Sequence, residues 1–196
     1  MNQNTHPLIL ASSSIYRKEL LSRLKVPFSI FSPDVDETRL QGETIPDMVK
    51  RLSIAKARIA CEKNPRSVCI GSDEVAGLDG EILGKPLTHE NAIKQLTHMS
   101  GKEVVFYTGV CVSAPFLPFE EYRLSTTSIT FRQLTPAMIE NYLQKEKPYQ
   151  SAGSFKSETL GSALISRFES EDPTAIIGLP LIILSEILTQ AGITIV

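Results

Sequence analysis

The chain has 196 residues, 42% of them hydrophobic and 21% charged, with a formal net charge of −2. That length suits one domain, or two lobes sharing a core. The near-neutral balance excludes a global basic field for nucleic acid or anionic membrane, so any cation that binds a ligand must act locally.

Leu8–Ala11 reads as a short buried strand, and Ser12, Ser13 or Ser14 can cap the helix behind it, whose apolar residues are Leu20, Leu21 and Leu24. Nothing before Leu8 resembles a leader peptide. Phe28–Phe31 reads as a second strand, and Thr44 caps a long helix running to about Cys61. Val68–Ser72 is a compact apolar strand, and Asp79-Gly80 signals a hairpin between 74–78 and 81–83. Thr88 starts a helix that Gly101 ends. Two strand-like segments follow, Glu103–Ala114 and Tyr122–Phe131, and Thr135-Pro136 then opens another helix. The last helix runs from near Pro180 to near Gly192; it is too short and too interrupted to span a bilayer. Alternating strands and helices predict an α/β or α+β fold with a mixed sheet. Cys61, Cys69 and Cys111 read as buried reduced thiols, which predicts a cytoplasmic protein.

A strand running through serines into a helix N-terminus is an anion-binding arrangement, because free N–H groups and the positive end of the helix dipole point at the ligand. Arg17 shares the face of Leu20 and Leu21, whereas Lys18 aligns with the more polar Ser22 and Lys25. Arg17 is therefore the better phosphate ligand, since its planar fork holds two oxygens at once. A serine-capped surface helix with solvated cations explains the segment equally well. On the Thr44 helix, Lys56 falls on the apolar stripe of Ile45, Met48, Val49, Leu52 and Ile59. A lysine there must snorkel or meet a phosphate or carboxylate. Lys50, Arg51 and Arg58 form the wet face.

Asp73-Glu74 follows the strand ending at Ser72, and Asp34, Asp36 and Glu37 follow the strand ending at Phe31. Ligands collect at the carboxyl ends of strands in α/β sheets. Two acidic sites placed so could share one magnesium or manganese ion with substrate phosphates. His6, His89 and His98 stand apart from the other candidates, so carboxylate and metal are what remain for activating water. Gly84-Lys85-Pro86 and Gly153-Ser154-Phe155-Lys156-Ser157-Glu158 add two loops with a lysine each.

Taken together, these pieces resemble the Maf family of nucleotide pyrophosphatases. The matching residues are Leu8–Ser14 with Arg17, then Asp36-Glu37-Thr38, Lys56-Ala57, Gly71-Ser72-Asp73, Gly84-Lys85-Pro86, Tyr107-Thr108-Gly109 and Ile177-Gly178-Leu179-Pro180, in family order over nearly the whole chain. The resemblance implies a single domain over residues 1–196, a mixed twisted sheet flanked by helices in two lobes with a central cleft, as in inosine triphosphate pyrophosphatases. It implies metal-assisted attack of water on the α-phosphate. Asp73 matches the family's proton acceptor, Ser12, Arg17, Glu37, Lys56 and Lys85 match its polar cleft residues, and Lys156 joins the substrate-binding set. Glu37 and Asp73 are the expected ligands of the divalent metal.

Gly71-Ser72-Asp73 and the Gly153–Glu158 segment resemble the branch acting on 7-methyl-GTP rather than the dTTP/UTP branch. In that branch the base is discriminated at positions matching Tyr16, Glu74 and Glu158, where an aromatic face and carboxylates favour a cationic base. Tyr16, Glu74 and Lys18 stand where the branch usually carries tryptophan, glutamine and arginine. A dTTP/UTP pyrophosphatase and a nucleotide-binding regulator of cell division without turnover are the competing readings. The expected partner is the nucleoside triphosphate, with no nucleic acid and no membrane, and the family suggests a homodimer.

Overall fold

The computed structural model describes residues 6–196, so the reading of the first five residues as free of a leader lies outside it. Strand β1 (Leu8–Ala11) runs into helix α1 (Ile15–Ser22), followed by β2 (Ser29–Phe31) and α2 (Ile45–Lys63). β3 (Val68–Leu78) turns at Asp79 and Gly80 into β4 (Glu81–Leu83), and α3 (His89–Met99) follows. β5 (Glu103–Ala114), β6 (Phe119–Phe131), α4 (Pro136–Glu146), β7 (Ile165–Ser170) and α5 (Leu181–Gln190) complete the order. The predicted caps are real: the side chains of Ser14, Thr44, Thr88 and Thr135 each accept from the N–H three residues on.

The strands form one mixed sheet in the order β2-β1-β3-β5-β6-β7, with β4 beside β3. β1 lies parallel to β2 and β3, whereas β3–β4 and β6–β7 are antiparallel. The chain divides into two compact units, Met1–Glu74 with Thr108–Ser125 and Asp172–Val196, and Val75–Tyr107 with Thr126–Glu171. β3, β5 and β6 each contribute to both.

In the first unit, strand alternation sorts the apolar residues onto two faces. Leu8, Leu10, Val68 and Ile70 join Leu20, Leu21, Leu184 and Leu188 in one core, while Ile9, Ala11 and Cys69 join Ala60 and Cys61 of α2 in another. In the second unit, Phe155 packs against Phe106 and Phe131, with ring centroids 6.1 and 5.3 Å away. Among the described residues no helix is long and apolar enough to cross a membrane.

One sequence reading needs correcting, and one strand went unread. Asp73 and Glu74 do not follow a strand; they lie in the middle of β3, which continues without a break to Leu78. Their charges read as a boundary, but each is matched by polar groups on its own face, so the ladder carries on. β7 gave no strand signal because its four central residues are all exposed. It is held by pairing to β6, not by burial.

Candidate active site

Alternation along β3 puts Cys69, Gly71 and Asp73 on the α2 side of the sheet and Ile70, Ser72 and Glu74 on the other. At Gly71 the helix presses against the strand itself: a Cβ there would lie 2.2 Å from the Ser53 carbonyl oxygen and 2.5 Å from the Ala57 nitrogen. Only glycine permits that approach, and the approach brings the α2 stripe within reach of Asp73. Lys56 is 7% exposed and Asp73 6%. The Lys56 Nζ donates to Asp73 Oδ1 and to Glu37 Oε1, both at 2.6 Å. The lysine expected on the apolar stripe has thus met carboxylates rather than snorkelled.

Glu37 arrives on an exposed loop that α2 fastens. Arg51 grips Glu43 through Nε at 2.6 Å and Nη2 at 2.9 Å, and its Nη2 also donates to the Thr38 carbonyl at 3.1 Å. The Arg51 hydrogen bond holds the Glu43 carboxyl down at about 2. Arg51 therefore belongs to the loop anchor and is more than the wet residue expected from its helix face, whereas Arg58 is exposed as expected and pairs there with Glu120 at 2.6 and 2.8 Å. Asp36 turns back on the N–H of Thr38 at 2.9 Å, and Asp34 is exposed, so Glu37 is the acid of that group that reaches Lys56.

The opposite face of β3 carries a second polar assembly. The Gly178 carbonyl accepts from Ser72 Oγ at 2.9 Å and from Arg17 Nε at 2.8 Å. Arg17 is half-buried, as its place beside Leu20 and Leu21 implied, and the contact leaves the outer edge of its guanidinium fork for other acceptors. Thr108 donates to the Ala175 carbonyl at 2.9 Å and stands 3.5 Å from Glu74 Oε2. The 172–181 segment is itself tied down by buried Asp172, which accepts from the Thr174 N–H at 3.0 Å and the Ile182 N–H at 2.7 Å.

At the serine turn, Ser14 N–H donates to Ser12 Oγ at 3.1 Å, and Ser14 Oγ receives the Arg17 N–H at 3.4 Å. The cap reading therefore holds for Ser14. The N–H groups of the first helical residues, Ile15 and Tyr16, have no acceptor within the helix and stand at its positive end. Tyr16 is half-buried and Ser12 buried. Lys18 is exposed and lines an open hollow with Ser22, Pro27 and Ile30, apart from the contacts of Arg17.

Three expected site residues belong to the second unit. Lys85 is exposed on the loop between β4 and α3. Lys156 is half-buried, its Nζ 3.3 Å from Glu146 Oε1, and Glu158 is exposed beside Ser157. Among the described residues, no group of three or more histidine, cysteine, aspartate or glutamate side chains is arranged to hold a metal ion. The Glu37 and Asp73 carboxylates converge on one point, the Lys56 ammonium, 2.6 Å from each.

The family model for Maf-like protein matches residues 7–191. The chain belongs to the Maf family. A Maf relative from Nitrosococcus oceani named 7-methyl-GTP pyrophosphatase is 52% identical over 185 residues, covering 94% of this chain and 93% of its own. Relatives of the same name from Polaromonas sp. and Methylobacillus flagellatus are 49% and 50% identical, covering 98% and 97% of this chain and 88% and 99% of theirs. The solved structure of the Staphylococcus aureus Ham1 protein is similar over 65% of this chain and 72% of its own, at 18% identity and a TM-score of 0.47.

Three features of this candidate site were not assigned from sequence: the Gly178 carbonyl that holds Ser72 and Arg17, the Arg51 anchor of the Glu37 loop, and the Gly71 contact. Gly71 and Gly178 did stand in quoted motifs, so the signal was present without its role. Arg51 left no local signal, because its partner Glu43 lies outside the helix.

Proposed function

We propose that this Maf-family chain hydrolyses 7-methyl-GTP, or a closely similar modified nucleoside triphosphate, to the nucleoside monophosphate and pyrophosphate. The observation that carries the reading is Lys56, a buried ammonium 2.6 Å from both Asp73 and Glu37. The names of relatives at 49–52% identity support the substrate.

In the proposed reaction the water oxygen bonds to the α-phosphorus while the bond to the oxygen leading to the β-phosphorus breaks, and pyrophosphate leaves. Asp73 takes the proton of the attacking water, with Lys56 fixing the carboxylate so that its free oxygen faces the water. Arg17 and the N-terminus of α1, with Ser12 in the preceding turn, bind phosphate oxygens. Lys85 and Lys156 add cationic groups for the triphosphate, and Tyr16, Glu74 and Glu158 select the base. N7-methylation makes guanine cationic, which an aromatic face and carboxylates favour.

We also propose that Glu37 and Asp73 hold a magnesium or manganese ion. Such an ion takes one or two carboxylates and shares the rest of its coordination with waters and substrate phosphates, which suits this pair better than a cage made wholly of protein. When bound it supplies charge neutralisation on the phosphates and a more acidic water. The three buried free thiols suit the cytoplasm.

The test is a nucleotide panel offered to the purified protein with magnesium or manganese, scoring pyrophosphate against orthophosphate. Pyrophosphate release is expected to be fastest from 7-methyl-GTP and to stop when the metal is chelated. No turnover of any triphosphate would overturn the enzymatic reading, and a faster rate on UTP or dTTP would overturn the substrate.

A further inference from the structure

Glu146 is the last residue of α4, where the negative end of the helix dipole disfavours a carboxylate. Its side chain is nonetheless 13% exposed. A carboxylate so buried needs hydrogen bonds, and those of Glu146 come from one short segment. Oε1 is 3.3 Å from Lys156 Nζ, Oε2 accepts from the Leu160 N–H at 3.2 Å, and the Thr159 side chain supplies another bond. Burial works against ionisation here, but the bonds from Thr159, Leu160 and Lys156 outweigh it and hold the carboxyl below its ordinary range.

The same segment is secured from two further directions. Lys156 N–H donates to the Tyr142 hydroxyl, one turn earlier on α4, at 3.2 Å. Ser162 Oγ donates to the Ser157 carbonyl at 2.8 Å. At Gly161 a Cβ would lie 2.2 Å from the Lys156 carbonyl oxygen, so the turn closes tightly on itself. Its two ends, Lys156 and Leu160, are held by the two oxygens of a single carboxylate. Glu158 stands between those ends, exposed.

We propose that Glu146 is a positioning residue for base selection: by fastening both ends of the 156–160 turn it sets where Glu158 presents its carboxylate. This rests on the reading of Glu158 as a base-selective residue. A neutral side chain could close the turn, but only a charged carboxylate compensates the Lys156 ammonium that it faces. With its ammonium held 3.3 Å from Glu146, Lys156 does not draw Glu158 inward, and the Glu158 carboxylate stays available to a cationic base.

The test is Glu146→Gln, which keeps the acceptor for Leu160 and removes the charge facing Lys156. The expected result is a fall of about tenfold in the kcat/KM ratio of 7-methyl-GTP to UTP, the effect of one charge-assisted hydrogen bond, carried by KM with kcat nearly unchanged. Amide hydrogen exchange over 157–160 should speed up in the ligand-free protein. Glu158→Gln should lower the same ratio, and adding Glu146→Gln to it should lower it little further. Unchanged exchange and an unchanged ratio in Glu146→Gln would overturn the proposal, as would fully additive losses in the double variant. If Glu158→Gln leaves the ratio untouched while Glu146→Gln still speeds exchange, the role of Glu158 falls and the grip stands. Thr159→Val, which removes one bond to Glu146 without changing charge, should move exchange and ratio in the same direction by a smaller amount; no shift in either would count against the proposal if Glu146→Gln fails to fold.

Discussion

Two lysine–carboxylate pairs, Lys56 with Asp73 and Lys156 with Glu146, are similar in chemistry and different in construction. The first joins a helix to the middle of a strand, with both side chains 9% exposed, and its geometry follows from backbone pressed on backbone at Gly71. The second joins a helix end to a turn, with side chains 20% and 13% exposed, and its geometry follows from the side chain of Glu146 itself. A reacting group must be held within tenths of an ångström, which packed elements provide. A selecting group can ride on a turn, where sequence changes do not disturb the sheet. The contrast teaches that in this chain the proposed chemistry is anchored by main-chain packing and the proposed selectivity by hydrogen bonds.

That contrast can be broken by substitution. Asp73→Asn should lower pyrophosphate release by about a thousandfold, the scale of a lost general base; a near-normal rate would remove Asp73 from proton transfer. Lys56→Met strands a buried carboxylate and should cost about 3–5 kcal/mol in urea unfolding at neutral pH. Glu146→Gln, at the more exposed pair, should cost only about 1 kcal/mol in the same experiment. Equal losses would erase the distinction between the pairs.

Tyr122 sharpens the picture of the α2 face. Its hydroxyl is buried with no hydrogen-bond partner among the described residues, and its ring edge lies against Gly109. Tyr122→Phe should therefore raise stability by about 1 kcal/mol. Burial also pushes the phenol up to about 12 from 10.0. The native phenol holds its proton more tightly than the unfolded one, so its contribution is complete below pH 10.0 and is lost as the pH rises to about 12. The phenylalanine variant should lack that part of the alkaline loss, which unfolding measured across this window reads directly. The smallest effect is expected at Lys18: Lys18→Ala should change turnover by no more than about twofold, as for other solvated charges away from the reacting atoms.

Local sequence specifies the local elements. A serine cap within Ser12–Ser14, caps at Thr44, Thr88 and Thr135, the Asp79-Gly80 hairpin and the stripe carrying Lys56 are written in neighbours a few residues apart and were legible, though only the fold singled out Ser14. β7 was not, since an exposed strand held by its neighbour has no apolar period. The continuity of β3 through Asp73 and Glu74 was hidden too, because their charges are compensated only by groups brought in from elsewhere. Tertiary structure decided the partnerships: Lys56 with Asp73 across 17 residues, and Arg17 with the Gly178 carbonyl across 161. Such contacts depend on long loops closing and on backbones approaching at Gly71, quantities that no local spacing records. Sequence could say that a lysine on an apolar stripe needs a counter-charge; only the fold could say which carboxylates supply it.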